Sequence, residues 1–209
     1  AGLLELNTIP ERYQKDALND GYFAKLRNEY KYLAHKFNLT PMDYRQWRCL
    51  RLRPQNFPHI RISQLAHLYY QRKAGLSQLV EAASVEDAKK VLATAVTPYW
   101  ETHYTFGSTS VRNDKNLSPF SLNLLCINTV VPILFAYGRH RGEEKYCDRA
   151  FDFLEQLRPE NNYIIRLWQQ SGLVVDNAGD SQALIQLKKE YCDKKECLRC
   201  RFGYEYLKL

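Results

Sequence analysis

The stretch LNDGYFAKLRNEYKYLAHKF, residues 18–37, decides the fold class. Within it Leu18, Tyr22, Leu26, Tyr30, Leu33 and Phe37 recur at spacings of three and four, which places them on one face of a helix. The same period returns along the rest of the chain. Ile62, Leu65, Ala66 and Tyr69 mark one buried face, and Val85, Ala88, Val91, Leu92 and Ala95 mark another. Ser84 is placed to cap the latter helix, with Asp87 at its third helical position.

Ser118-Pro119 signals a further start, a capping hydroxyl followed by a proline whose missing N–H is harmless in the first turn. Pro132 cannot donate to the carbonyl of Asn128, which predicts a kink, and Gly138 reads as the stop. Tyr146, Ala150, Phe153, Leu154 and Leu157 form the next stripe. Ile164, Leu167 and Trp168 follow, ending near Gly172. Ala183, Leu184, Leu187 and Tyr191 come after them, with Asp180 as the expected cap, and a short last helix is expected from about Cys197 to Leu207. Only Trp100, Thr102, Tyr104 and Phe106 alternate like a strand, and one such segment builds no sheet by itself. The expectation is an all-α fold: an irregular multi-helix bundle of about eight to ten helices, with at most a minor strand-like segment near 100–106. No repeat or linker divides the chain, so residues 1–209 are expected to form one domain.

Hydrophobic residues at 45% and aromatics at 13% exclude a disordered chain. Thirty basic residues against 23 acidic ones leave a formal charge of +7, which favours polyanionic partners such as nucleic acid. The opening AGLLELNTIPERYQ has neither the basic start nor the apolar run of a secretory leader, and six cysteines are few for a secreted disulfide domain. A reducing, cytoplasmic setting is the expectation. The longest apolar stretch, Leu122 to Tyr137, contains Asn123, Asn128 and Pro132 and reads as a buried core helix; no membrane is expected among the partners.

RLRPQNFPHIRISQLAHL, Arg51 to Leu68, is the most distinctive stretch. Pro54 and Pro58 hold the backbone extended, and a helix begins near His59. Arg51, Arg53 and Arg61 bring forked donors, and Arg61 and Gln64 lie three residues apart on one helical face. Rigid backbone entering a helix start can present free N–H groups, so Arg51, Arg53, Asn56, His59, Arg61 and Gln64 are candidate anion-binding residues. Arg45, Trp47 and Arg48 extend the patch with the cation-plus-aromatic mix of single-strand binders. Equally, such a network can serve the fold alone, satisfying carbonyls at helix ends.

YCDKKECLRC, residues 191–200, spaces Cys192, Cys197 and Cys200 as C-x4-C-x2-C. Three thiolates at a helix junction are candidate ligands for zinc or an iron–sulfur cluster, each of which takes four ligands. The fourth would come from afar, from Cys49, Cys126, Cys147, His103 or His140. The run is similar to the cluster loop of helical DNA-repair glycosylases, but its first gap is shorter and Tyr206 stands where the last cysteine would be. Alternatively CLRC is a reactive dithiol, or the cysteines pack as small hydrophobes. No catalytic motif is present: the five histidines lack H-E-x-x-H spacing, and there is no G-x-S-x-G elbow.

Four ordered stretches, RPQNFPHIRISQLA (Arg53 to Ala66), INTVVPILFAYG (Ile127 to Gly138), PENNYIIRLW (Pro159 to Trp168) and SQALIQLKKEYCDKKECLRC (Ser181 to Cys200), resemble a bacterial family, the domain-of-unknown-function family numbered 2851. The resemblance implies that the chain is the C-terminal part of a longer protein, whose N-terminal region would be its first partner. It implies no activity. The leading expectation is a non-catalytic helical module that binds an anionic partner, nucleic acid above all, in support of a catalytic region outside the chain. Its rivals are a structural or dimerisation scaffold held by the arginines and cysteines, and a metal-dependent enzyme. Nothing in the pattern assigns an oligomeric state.

Overall fold

The structure, a computed structural model, describes residues 3–47, 51–71 and 75–207. Its main elements, in chain order, begin with α1 (Glu11–Leu18), α2 (Gly21–Phe37), α3 (Pro58–Tyr70), α4 (Leu76–Glu81), α5 (Val85–Leu92) and α6 (Pro98–Glu101). A strand pair follows, β1 (His103–Thr105) and β2 (Ser108–Thr109). After it come α7 (Pro119–Leu125), α8 (Val131–Arg141), α9 (Glu144–Gln156), α10 (Tyr163–Gln170), α11 (Ala178–Leu187) and α12 (Arg201–Leu207). The all-α reading holds. The strand-like pattern is real only from His103: Trp100 belongs to α6, and β1 finds its partner directly across a turn, antiparallel and with irregular register.

The helices pack as two compact units, neither contiguous in sequence. One comprises Ala1–Lys73 with Ala93–Leu117, the other Ala74–Leu92 with Ser118–Leu209. No single linker read from composition marks this division, since each unit is built from two separate stretches of the chain.

In the first unit Ile9, Ala17, Phe23, Ile60, Val96, Trp100 and Phe106 form the core, with Tyr22 and Tyr99 packed against it. Asp20 starts α2 by accepting from the N–H groups of Tyr22 (2.8 Å) and Phe23 (3.4 Å). Its second oxygen accepts from the Tyr99 hydroxyl, so one carboxylate both caps α2 and holds α6. Tyr99 is stacked between Tyr22 and His103, each ring centroid 4.0 Å away.

The second unit is centred on Ala88, Cys126, Val130, Leu134, Phe153 and Leu157. Ser84 and Asp87 cap α5 as the sequence predicts, and Ser118 caps α7 by accepting from the Ser121 N–H at 3.1 Å. Pro132 does not end or break its helix. Residues Cys126–Val130 form a π turn, in which the Val131 N–H reaches back to the Cys126 carbonyl. That wider turn absorbs the ladder bond Pro132 cannot make. The result is a continuous helix over Pro119–Arg141, long and apolar enough by length and composition to cross a membrane; here Cys126, Ile127, Val130, Val131 and Leu134 lie in the core of the unit.

Gly138 likewise is no stop, since the helix runs on to Arg141. A Cβ at Gly138 would lie 2.8 Å from Cys147 Sγ and 3.0 Å from the Cys147 nitrogen, so the glycine lets α8 and α9 approach closely. Asp180 is not the cap of α11 either. Asn177 holds that place, accepting from the Asp180 N–H at 2.9 Å, while Asp180 accepts from the Asp176 N–H. Arg149 Nη1 donates to the carbonyls of Val80 (2.9 Å) and Ala82 (3.2 Å), closing the end of α4.

Candidate nucleic-acid interface

Arg51 opens the arginine segment in the left-handed region, with φ 64°. That conformation costs a residue with a Cβ on the order of 1 kcal/mol. Arg53 precedes a single 3-10 turn, Pro54–Asn56, closed by Asn56 N–H on the Arg53 carbonyl (2.8 Å) and Phe57 N–H on that of Pro54 (3.0 Å). Phe57 then caps α3 with Pro58 at its first position. The two prolines thus build a rigid corner rather than an extended strand.

From that corner the candidate residues separate into two groups. Arg61 turns inward: Nη2 donates to Asn56 Oδ1 at 2.6 Å and Nη1 to Gln64 Oε1 at 2.9 Å. Gln64, only 4% exposed, passes its own amide hydrogen to the Lys115 carbonyl at 2.7 Å. His59 is equally buried, its ring set against Trp100 and Phe106 with centroids 5.9 and 5.5 Å away. Neither His59 nor Gln64 is within reach of a polymeric partner. Arg51 and Arg53, by contrast, are exposed, and their guanidinium groups have no ion-pair or hydrogen-bond partner among the described residues. Arg45 and Trp47 sit beside a short 3-10 turn, and Arg48 lies outside the described residues.

The buried face of α3 is shifted from the expected stripe of Ile62, Leu65, Ala66 and Tyr69 toward Ile60 and Leu68, with Ile62 half-buried. His59, Ile60, Ser63, Gln64 and Leu68 are buried, whereas Leu65, Ala66 and Tyr69 are exposed. Tertiary contacts on the inward side hold this orientation. Gln64 is committed to Arg61 and Lys115, its carbonyl accepts from Thr94 Oγ1 at 3.3 Å, and His59 fills an aromatic niche. Ile60 and Leu68 are buried on the same side, so the inward face is set by these apolar contacts together with the Gln64 hydrogen bonds, and Leu65 and Tyr69 are left outside.

Lys115 is the interior residue that sequence reasoning missed, because it lies in a stretch that reads as a polar loop. It is 4% exposed and adopts φ 46°. Its ammonium donates to the carbonyls of Trp100, Glu101 (3.1 Å) and His103 (2.9 Å), where α6 gives way to β1, and lies 3.9 Å from the centroid of the Tyr104 ring. A lysine has three donors, and here all three are used on backbone. Only the Asn113-x-Lys115 spacing hints at it: Asn113 Oδ1 accepts from the Lys115 N–H at 2.9 Å, an Asx turn.

Charge reinforces the outward group. Between Asp43 and Glu81 the chain has no acidic residue, while Arg45, Arg48, Arg51, Arg53, Arg61, Arg72 and Lys73 all fall in that interval. Elsewhere some basic side chains have acidic partners, as in Lys89–Glu86, Arg112–Glu101 and Lys194–Glu190.

In the second unit the cysteine run follows α11 through a π turn, Lys188–Cys192. Cys192 and Cys197 are exposed and Cys200 is buried. All three line an apolar cavity of about 340 Å³ with Trp168, Leu184 and Phe202. A Cβ at Gly203 would collide with the Cys197 carbonyl, so α12 packs directly on the cysteine turn. Among the described residues no group of three or more His, Cys, Asp or Glu side chains is placed to hold a metal ion. The three thiols therefore border one cavity without assembling a zinc or iron–sulfur ligand set from those residues, and Cys49, a candidate fourth ligand, lies outside them.

The model of a family described as "Protein of unknown function (DUF2851)" matches residues 1–163. The matched span takes in the arginine corner, α3 and Lys115, and ends before Cys192. No curated protein and no solved structure matches the chain.

Proposed function

The chain belongs to the DUF2851 family, a family of unknown function, and from that premise we propose that its arginine corner binds the phosphates of a nucleic acid, as a supporting module for catalysis carried elsewhere. The observation that supports this is the state of Arg51 and Arg53: exposed, unpaired and two residues apart on a corner set by Pro54, inside an interval free of acidic residues. Guanidinium forks in such a setting suit phosphate oxygens.

The test is fluorescence anisotropy with labelled oligonucleotides from about 50 to about 200 mM salt. Binding that weakens steeply over that range is expected. Arg51→Ala/Arg53→Ala should lower the log–log salt slope by about 1.5 to 2, the share of two phosphate contacts. Failure of the wild type to bind at the lowest salt, or an unchanged slope in the variant, would sink the reading.

A second reading, a scaffold, has its own support in the inward group. Arg61, Asn56, Gln64 and Lys115 tie the corner, α3 and the loop before α7 through internal hydrogen bonds. That role explains why Gln64 is buried and Arg61 half-buried, and leaves Arg51 and Arg53 without a structural task.

A further inference from the structure

We infer that the nucleic acid is single-stranded and that its bases stack on the outward face of α3, on Tyr69 and Tyr70; this rests on the phosphate-binding reading of Arg51 and Arg53. Three observations lead there. First, Tyr69 is 64% and Tyr70 85% exposed, and neither ring meets another ring, a cation or a hydrogen-bond partner among the described residues. Tyrosine ordinarily buries much of its ring, and two neighbouring free rings at the end of a helix form a surface with an unused stacking capacity.

Second, α3 carries a further apolar stripe on its outward side. Leu65, at 52% exposure, and Ala66 lead along α3 toward Tyr69, while Ile60 and Leu68 are turned inside with His59, Ser63 and Gln64. An apolar stripe left on the outward side of a helix whose buried side is already filled is available to a partner. Third, the charge around the stripe selects the partner. Helix α3 has no acidic residue, and the cations of the acid-free interval flank both its ends, Arg51 and Arg53 before it and Arg72 and Lys73 after it in sequence. A basic or purely apolar protein surface would not match that composition; a polyanion with exposed aromatic faces does.

The geometry favours a single strand over a duplex. The rings of α3 can meet bases only where those bases are unstacked, and in a duplex they are covered by their neighbours. The thirteen residues of α3 extend about 20 Å, so phosphates held at the arginine corner and bases at Tyr69 and Tyr70 would belong to one short run of nucleotides.

The experiment compares labelled oligo-dT with a duplex of the same length at low salt, for the full chain and for Tyr69→Ala/Tyr70→Ala. Both positions are on the surface, and an unchanged far-UV spectrum and melting curve verifies the fold. Oligo-dT is expected to bind more tightly than the duplex. The tyrosine variant should weaken oligo-dT at least about tenfold and leave the duplex nearly unchanged, with Tyr69→Phe/Tyr70→Phe restoring binding. Equal binding of the two probes, or a tyrosine variant that holds oligo-dT as well as the wild type, overturns the stacking inference while leaving the arginine reading intact. If neither probe binds, both fall.

Discussion

Gln64 Nε2 donates to the Lys115 carbonyl at 2.7 Å, joining two points 51 residues apart in the chain. On its other side Gln64 accepts from Arg61, so one buried amide connects the arginine motif to the loop that carries Lys115. Gln64→Leu would leave the Lys115 carbonyl and one Arg61 donor unsatisfied. A loss of about 1–3 kcal/mol is expected, read as a lower urea midpoint with an unchanged slope. A midpoint equal to the wild type would show that the network is not structural.

Burial against Trp100 and Phe106 lowers the His59 pKa from its ordinary 6.5 to about 4. The unfolded chain therefore takes up a proton that the folded unit excludes. The stability contribution is complete above pH 6.5, declines as pH falls through the window from 6.5 to about 4, and is lost below it. The cumulative change approaches about 3 kcal/mol. His59→Phe should flatten this part of the pH profile, as measured by melting from neutral to acid pH; parallel profiles for wild type and variant would refute the assignment.

Helices α8 and α9 meet at Gly138, where a Cβ would press on Cys147 Sγ, the Cys147 nitrogen and the Glu143 carbonyl. Gly138→Ala is expected to cost about 1–3 kcal/mol by forcing the helices apart. Adding Cys147→Ala should restore only part of that loss, because two of the three contacts are backbone. Full rescue in thermal melts would place the strain on sulfur alone.

Thiol reactivity should follow the packing of the second unit. Cys192 and Cys197 are exposed and should react first with iodoacetamide, and Cys200 later. Cys126 should be slowest, fully buried and with its thiol pushed up to about 11 by desolvation. Gly203→Ala, which displaces the Cys197 turn, should raise Cys200 labelling toward that of its neighbours. Peptide mass spectrometry after timed pulses reads all four; rapid labelling of Cys200 in the wild type would contradict its placement.

Much of the secondary structure is legible along the chain. Ser84 with Asp87 and Ser118 with Pro119 start helices where their side chains can reach backbone donors, and these are interactions within one turn. The stripe of Tyr146, Ala150, Phe153 and Leu157 also reads correctly, since α9 packs its apolar face into one core. Gly138 reads wrongly as a stop, since only the close approach of α9 explains the glycine, whereas the disturbance expected from Pro132 takes the form of a π turn, a purely local remedy that carries the helix past the proline.

Sequence by itself determined the helical class, most helix starts and the arginine-rich character of the segment before α3, because periodicity, capping and charge act over a few residues. Which way α3 faces, which arginines are spent on the fold, and that Lys115 is an interior residue were decided only in three dimensions. The reason is physical: Gln64 and Lys115 donate to backbone carbonyls distant in sequence, Ile60 and Leu68 are buried beside Gln64, and no local pattern records partners that only the packed chain brings together.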